Sequence, residues 1–405
     1  MSIAKGSTRN RLDLFATMWI IFSTGSLVLC IFNMKLSMFV LLGIAAVYAV
    51  QNRKVGVKQL KAVLMVFGLV MLNSMVNLRY FVLNKDIAIL LIRLTSLALI
   101  CSYMSKETFM ENYIKTLFWL CLLSLVCFAL SEAGVILPGQ KNLWFKNKYY
   151  IYTPYHTVGR WYYFHRNAGI FWESPAFAIF INIAVAFLML GNVKIESKKK
   201  TLYFVVFAVT LFSTLAITGY IEFFLVLLAI VFQKRKSNIE ENGKESKTGK
   251  YIVGLVVIAV VIIFLIRESN THMITNKILY KVGSYNTREN DSLQALNLLR
   301  DRPLTGYGLF NSYTLEALKA VDVTDNSNSF TSLLMYFGVP LFLAYCARFI
   351  WGIRQYFNDI SIVSFLLVSG AFIVFLNSEQ IATMTLFVLF LMPVKSRSDP
   401  GYLVK

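Results

Sequence analysis

The sequence predicts an all-α, polytopic membrane protein with about twelve transmembrane helices and two long loops on one side of the membrane. Of its 405 residues, 57% are hydrophobic and only 15% are charged, and the mean hydropathy is +0.61. This composition is far from that of an ordinary soluble domain. Apolar runs of spanning length recur along the chain, and basic residues collect in alternate connections between them.

The apolar runs define the predicted elements. Each is long enough, or nearly long enough, for a helix to cross the hydrocarbon layer. The shorter runs are also compatible with tilted or re-entrant segments. The twelve predicted stretches are 14–32, 35–50, 62–78, 86–104, 116–137, 174–193, 201–216, 218–233, 251–266, 328–347, 359–376 and 380–394.

The distribution of Lys and Arg predicts the orientation. With the N-terminus inside, the cytoplasmic segments hold 24 of the 40 basic residues, whereas the short outer loops hold only Lys35, Arg79 and Lys85. By the positive-inside rule, both termini are cytoplasmic and the long loops 138–166 and 267–327 lie outside. Residues 234–250 form a polar cytoplasmic linker. The net charge of +19 therefore indicates membrane anchoring rather than nucleic-acid binding.

The chain shows no internal repeat, so residues 1–405 are predicted to form one integral membrane domain. Its five cysteines lie in predicted spans, which favours buried apolar thiols over a disulfide framework. The three histidines fall in the predicted outer loops, where titration could matter, but no His–Cys or His–His spacing suggests a metal site. They are His156, His165 and His272.

The first outer loop has an unusual composition. Between Pro138 and Arg166 there is no acid, but there are five basic residues, two histidines and ten aromatic residues. Aromatic faces can stack on sugars, and guanidinium groups can bind phosphate oxygens in bidentate fashion, so a saccharide and phosphate site is one interpretation. The alternative is an interfacial belt, where Trp, Tyr, Lys and Arg also collect.

A helix start follows this loop. Ser174 is predicted to cap the helix and Pro175 to take its first position. The helix N-terminus would then point outward near Arg160 and Arg166 and would suit a pyrophosphate. Glu173 lies at this start, where it either stabilises the helix or acts as a general base.

The second outer loop carries seven basic and seven acidic residues, so it is not a simple electrostatic funnel. Asp291 and Gln294 resemble a capping box that opens an amphipathic helix ending before Pro303. A tight turn at Gly306–Gly308 follows, and a second short helical pattern covers 315–321.

Polar groups in or beside predicted spans are also functional candidates, because burying them in lipid is costly. Glu222 lies about one turn into the eighth stretch, Arg93 lies in the fourth, and Asn377 and Glu379 lie at an outer turn. Arg93 is compatible with a structural ion pair to an acid.

Three stretches together resemble the O-antigen polymerase and ligase superfamily of polytopic glycosyltransferases, the Wzy type especially. The first reads Arg166-x-x-Gly169-x-Phe171-x-Glu173-x-Pro175, and the second runs from Ser213 to Tyr220. The third joins Arg288, the Pro303–Gly308 turn, and the segment from Asn326 to Phe330 with Gly338 after it. The likeness covers residues from about 160 to 395.

The resemblance implies a GT-C-like fold in the cytoplasmic (inner) membrane of a bacterium. The implied reaction moves a growing glycan from undecaprenyl pyrophosphate to a hydroxyl of an incoming lipid-linked repeat unit, and so builds an O-antigen, capsule or exopolysaccharide. No metal or cofactor is expected, because a leaving pyrophosphate needs only matched charge. Expected partners are the lipid-linked oligosaccharide, membrane lipids and a chain-length regulator.

The site residues expected on these grounds fall into four groups. They are Glu173 and His165 as catalytic candidates; Arg160, Arg166 and Arg288 for pyrophosphate; Trp161, Tyr162, Tyr163, Trp172, Tyr307 and Asn328 for sugars; and Glu222, Tyr220 and Glu379 as further candidates. Ligases of this kind typically carry a His just before the Asn that opens the span after the long loop. Here Ser327 takes that place, which favours a polymerase; a ligase and a non-catalytic flippase remain alternatives.

Overall fold

The computed structural model describes residues 2–26, 29, 34–52, 56–77, 85–133, 140–141, 149–153, 156–161, 164–242, 284–309 and 328–398. Within these residues the chain forms twelve helices and four short strands. The helices are α1 (Ser2–Gly25), α2 (Met34–Asn52), α3 (Val57–Val76), α4 (Lys85–Tyr103), α5 (Lys106–Glu132), α6 (Ser174–Leu190), α7 (Ser197–Ser213), α8 (Ile217–Asn242), α9 (Ser284–Leu299), α10 (Ser329–Tyr356), α11 (Ile362–Ser378) and α12 (Thr385–Leu389).

The helices agree with a polytopic membrane protein. By length and composition, five stretches could cross a membrane: Met34–Gln51, Val57–Val76, Lys106–Glu132, Ile217–Lys236 and Ser329–Tyr356. Three shorter apolar helices accompany them, at Ile87–Tyr103, Ser174–Leu190 and Ile362–Ser378. The predicted stretch 251–266 and the helical pattern at 315–321 lie outside the described residues.

The last predicted span, 380–394, does not form a spanning helix. Residues 380–394 contain only the five-residue α12, flanked by turns. The segment is apolar because protein surrounds it: Phe387 and Phe390 are fully buried, and Arg348 donates to the carbonyl of Leu391 at 2.9 Å. Hydropathy alone cannot distinguish a segment buried in protein from one facing lipid.

The all-α prediction also misses a small sheet in the first loop. Strands β1 (Gln140–Lys141), β2 (Tyr149–Thr153), β3 (His156–Trp161) and β4 (Phe164–Asn167) form an antiparallel meander in chain order. Tyr, Thr, Ile, Val and Trp dominate β2 and β3, and aromatic and β-branched side chains favour the pleated backbone. The aromatic content that suggested a ligand surface therefore also encodes strands.

Helix α6 occupies the interior of the bundle. It contacts α5, α7, α8 and α11, and nearly all of its side chains are buried. A helix that is apolar all round is suited to such an enclosed position. Its first turns pack on the preceding connection, where the Phe171 ring lies 5.0 Å from that of Phe177 and 4.5 Å from that of Phe180.

The segments predicted to be cytoplasmic meet at one end of the bundle. Arg397 in the C-terminal tail binds Glu111 of α5 through two hydrogen bonds of 2.9 Å. The ammonium of Lys106 donates to the carbonyl of Gln355 and to Asn358 Oδ1, both at 2.7 Å. These contacts hold the C-terminal tail, the start of α5 and the end of α10 together.

Candidate functional site at the predicted outer end

The connection from β4 to α6 is anchored at the opposite end of α5. Asn167 is fully buried, and its amide nitrogen donates to Ser124 Oγ at 3.2 Å and to Ser213 Oγ at 2.9 Å. Its Oδ1 accepts from the amide of Gly169 at 3.0 Å. Gly169 has φ +54°, and a Cβ there would meet the Phe177 ring at 2.9 Å, so this turn requires glycine.

Arg166 is held by the turn between α7 and α8. Its side chain is half-buried, and Nε donates to the carbonyl of Thr214 at 3.2 Å. A guanidinium group carries several N–H donors in a planar fork, a geometry that suits carbonyl and phosphate oxygens. The bond joins the first family-like stretch to the second through two residues that are 48 positions apart in sequence.

Glu173, and not Ser174, takes the N-cap position of α6. Ser174 is the first helical residue and is buried, so Pro175 takes the second helical position and not the predicted first. The predicted Ser174 cap is therefore wrong by one residue. Glu173 has extended backbone angles and its side chain makes no capping hydrogen bond. Its half-buried carboxylate is thus placed at the helix start without being used to cap it.

Several predicted site residues are described only in part. Arg160 pairs with His165 across β3 and β4, next to the pair formed by Gly159 and Arg166. Arg288 lies in α9, whose helix begins at Ser284 and so seven residues before the predicted cap at Asp291. The side chains of Arg160, Trp161, His165 and Arg288, and all of Tyr162, Tyr163 and His272, lie outside the described residues.

The turn after α9 docks against a break in α10. The amides of Tyr307 and Gly308 donate to the carbonyls of Met335 and Tyr336 at 2.9 Å, and the amide of Val339 donates to Pro303 at 2.8 Å. The break lies at Gly338, which has φ +68°. The Pro303–Gly308 turn and Gly338, which both belong to the third family-like stretch, therefore lie in contact.

Tyr307 lies inside this contact. Only 3% of it is exposed, its hydroxyl donates to the carbonyl of Leu298 at 3.1 Å, and the Arg302 guanidinium lies 5.3 Å from the ring centroid. Trp172 is similarly buried, with 8% exposure. In this structure both rings pack against protein, and their sugar contacts stay a prediction.

Asn328 ties three helices together. Its Oδ1 caps α10 by accepting from the amides of Phe330 at 2.9 Å and Thr331 at 3.3 Å. Its Nδ2 donates to Asn377 Oδ1 at 2.8 Å and to Ser292 Oγ at 3.3 Å. The side chain predicted to bind sugar therefore holds α9, α10 and α11 together, beside the exposed Asn377.

The remaining candidates extend from this end into the bundle. Tyr220 donates from its hydroxyl to the carbonyl of Phe212 at 3.0 Å. Glu379 follows α11, is 5% exposed, and accepts at its carbonyl from Ser329 Oγ. Glu222 of α8 is fully buried and lies close enough to Glu379 for the two carboxyl groups to interact. Arg93 is farther along α4 and donates to the carbonyl of Thr383 at 2.8 Å.

Sequence reasoning missed the group that joins these elements. Asn182 lies fully buried in the middle of α6, where it donates to the carbonyl of Gly219 at 2.9 Å and to Glu222 Oε2 at 3.0 Å. An amide within an otherwise apolar stretch was a visible signal, because polar groups inside spans need partners.

A comparison with protein families finds one match. Residues 202–346 match the O-antigen ligase family model, Wzy_C. The matched region begins in α7 and ends within α10, so it includes the buried Glu222, the docked turn and Asn328. A search of curated proteins found no match.

Proposed function

We propose that this chain is a polymerase of lipid-linked glycans. The match of residues 202–346 to the O-antigen ligase family confirms the resemblance to the O-antigen polymerase and ligase superfamily. Members of that family transfer glycosyl groups in polysaccharide assembly. In the finer assignment, the protein joins oligosaccharide repeat units that are carried on undecaprenyl pyrophosphate, on the outer face of the cytoplasmic membrane.

The bond between Arg166 and Thr214 carries this proposal. It attaches the start of α6, with Glu173, to the turn that opens the matched helix α8. A cation, a carboxylate and a helix N-terminus from the first family-like stretch are thereby held against the turn between α7 and α8. Such a set suits a substrate with both a pyrophosphate and a hydroxyl that must lose its proton.

The proposed chemistry needs only these groups. The bond between the donor sugar's anomeric carbon and the pyrophosphate oxygen breaks, and that carbon forms a bond to the acceptor hydroxyl oxygen. Glu173 takes the hydroxyl proton, while Arg166, with Arg160 and Arg288, stabilises the charge on the departing pyrophosphate. His165 is the second candidate for the base.

Polymerisation is favoured over ligation by the residue before Asn328. Ser327 stands where ligases of this kind carry a His, and it lies outside the described residues. A ligase would pass finished chains to a surface anchor, whereas a polymerase extends chains on the carrier lipid. A chain-length regulator is the expected protein partner of a polymerase.

The proposal is tested in a deletion strain complemented with wild type, Glu173→Gln, Arg166→Ala or the control Asp301→Asn, an exposed acid on the docked turn. Glycans on the carrier lipid and on the surface anchor are resolved by gel electrophoresis. A polymerase predicts that deletion and both site variants leave single repeat units, with loss of about 100-fold or more in polymer, as expected for removing a general base or a charge clamp. Asp301→Asn should give normal chains.

Other outcomes identify the alternatives. Long chains that accumulate on the carrier and never reach an anchor would show a ligase, and units trapped on the cytoplasmic face would show a flippase. Normal polymer from Arg166→Ala would remove Arg166 from the pyrophosphate site. Membrane levels of each variant are measured by immunoblot, because Arg166 also holds the turn at Thr214.

A further inference from the structure

A buried polar cluster lies where α6, α8 and α11 meet. This carboxyl cluster consists of Asn182, Glu222, Ser378 and Glu379. Asn182 and Glu222 are fully buried, and Ser378 and Glu379 are 4% and 5% exposed. Glu222 interacts with the side chains of all three other members.

The hydrogen-bond donors of the cluster are already used. Both N–H groups of Asn182 are engaged, one by the carbonyl of Gly219 at 2.9 Å and the other by Glu222 Oε2 at 3.0 Å. The Ser378 hydroxyl donates to the carbonyl of Phe375 at 3.1 Å and also interacts with the Glu222 carboxyl group. Two fully buried acceptors, Glu222 Oε1 and Asn182 Oδ1, have no hydrogen-bond donor among the described residues.

An ionised Glu222 would leave both oxygens buried without a hydrogen-bond donor among the described residues. A carboxylate only accepts, whereas a protonated carboxyl supplies one O–H donor. Buried polar atoms without partners are costly, and buried charges without a counter-ion are costlier. The charge beside Glu222 is a second carboxyl group, that of Glu379.

Within the described parts of α6 and α11, no cation lies beside Glu222. Helix α6 contains no titratable side chain, and α11 contains none before Glu379 at its C-terminal end. Tyr220 on α8 donates its hydroxyl hydrogen to the carbonyl of Phe212 and so points to the α7–α8 turn. One proton on Glu222 both removes a charge and adds the missing donor.

We propose that Glu222 is a proton-holding positioning residue whose protonated carboxyl links α6, α8 and α11 and keeps the ends of these helices at the spacing that the transfer site requires. The positioning part rests on the proposed function; the proton on Glu222 does not. Glu379 lies at the end of α11, beside Asn377 and opposite the start of α10.

The cluster lies between the two parts of the candidate site. Asn182 belongs to the helix that Glu173 opens, and Glu379 binds through its carbonyl to Ser329, which follows Asn328. Gly219 permits the close approach of α6, since a Cβ there would lie 2.5 Å from that of Ala178. A hydrogen bond from Glu222 thus fixes Glu173 relative to Asn328 through helix backbones.

The test compares Glu222→Gln with Glu222→Ala in the full-length protein. A glutamine amide accepts through its oxygen and donates through its nitrogen, so it reproduces a protonated carboxyl but not a carboxylate. Glu222→Gln should keep polymer formation within about threefold of wild type, whereas Glu222→Ala should lose about tenfold or more, because buried partners are then left unsatisfied. The matched control is Ser364→Ala, which removes a different 2.8 Å bond between α11 and α8.

Infrared spectroscopy of the purified protein tests the proton independently of activity. The carbonyl stretch of a protonated carboxyl group should be present in wild type and in Ser364→Ala, and should be reduced in Glu222→Gln. An unchanged band in Glu222→Gln would show that Glu222 is ionised and would overturn the proposal. Equal loss of polymer in Glu222→Gln and Glu222→Ala would overturn it as well, since the amide would then fail to replace the carboxyl.

The two proposals fail in different ways. If wild-type membranes form no polymer from lipid-linked units, the proposed function fails, and the infrared comparison still decides whether Glu222 holds a proton. If polymer forms normally and the band does not respond to Glu222→Gln, the proposed function stands and the proton-holding role is rejected.

Discussion

At the scale of single residues, neighbouring side chains in the first family-like stretch have different structural roles. Asn167 is fully buried and uses its amide for the connection itself, whereas Arg166 is half-buried and uses Nε to hold Thr214. Glu173 stands at a helix start without capping it. Residue type alone could not separate these roles, because each depends on which donors the folded chain already uses.

Gly219 allows a prediction at the same scale. A Cβ at this position would lie 2.5 Å from the Cβ of Ala178, so α6 and α8 would have to separate. We expect Gly219→Ala to lower stability by about 1–3 kcal/mol, the usual range for overpacking a tight core. The measurement is thermal unfolding of the purified protein in detergent.

Gly370→Ala is the matched control for this change. Gly370 lies in α11, and a Cβ there would meet nothing within 4 Å. Since alanine favours helix over glycine by up to about 1 kcal/mol, this variant should unfold at the same temperature or slightly higher. Equal destabilisation by both substitutions would show that the close contact of α6 with α8 does not limit stability.

At the scale of elements, the docking of the 303–309 turn on the break in α10 decides where α9 lies. Gly306 and Gly338 both have positive φ, and a Cβ on Gly338 would lie 2.6 Å from the carbonyl of Leu304. Neither glycine tolerates a side chain, because both strain and contact oppose it. Two short glycine-containing segments therefore position α9 against α10.

Gly338→Ala should release this turn. Loss of the backbone bonds from Tyr307, Gly308 and Val339 would expose the segment to solvent. We expect faster proteolysis between α9 and α10 in the variant. Polymer formation should fall because the hydrogen bond between Asn328 and Ser292 is then lost. Gly43→Ala in α2, where a Cβ has no neighbour within 4 Å, should leave both the proteolysis rate and the polymer unchanged.

The sequence predicted most helices but not how their ends meet. Apolar periodicity located α2 to α8, α10 and α11 to within a few residues at many ends, although α5 begins ten residues before its predicted span. It could not show that 380–394 is apolar through burial in protein, or that Tyr149–Thr153 pairs with His156–Trp161. These are tertiary properties, and hydropathy carries no information about them.

The candidate site was predictable in part. The loop composition and the helix start pointed to Arg166 and Glu173, and the cost of burying polar groups in lipid pointed to Glu222 and Glu379. Tyr307 and Asn328 were chosen from a motif, and the structure uses them for packing and capping. Asn182 was overlooked because it stands alone in sequence, and its partners lie on another helix.

At the scale of the whole molecule, polar contacts gather at the two ends of an apolar bundle. One end joins Arg397 to Glu111 and Lys106 to Asn358; the other joins Arg166 to Thr214 and Asn328 to Asn377. Charge and hydrogen-bonding groups therefore divide along the helix axes as a membrane requires. The basic residues predict that the first of these ends is cytoplasmic.

Helix α3 offers a direct test of this orientation. Lys58 lies in its first turn, and Asn77 after its last turn binds Arg302, next to the exposed Asp301. A helix of 20 residues is about 30 Å long, which matches the hydrocarbon thickness. In a background with the native cysteines replaced, a membrane-impermeant maleimide should label Asp301→Cys from outside intact spheroplasts and should label Lys58→Cys only after lysis. The reverse pattern would invert the topology and place Arg166 and Glu173 in the cytoplasm, where the proposed substrates on the outer face could not reach them.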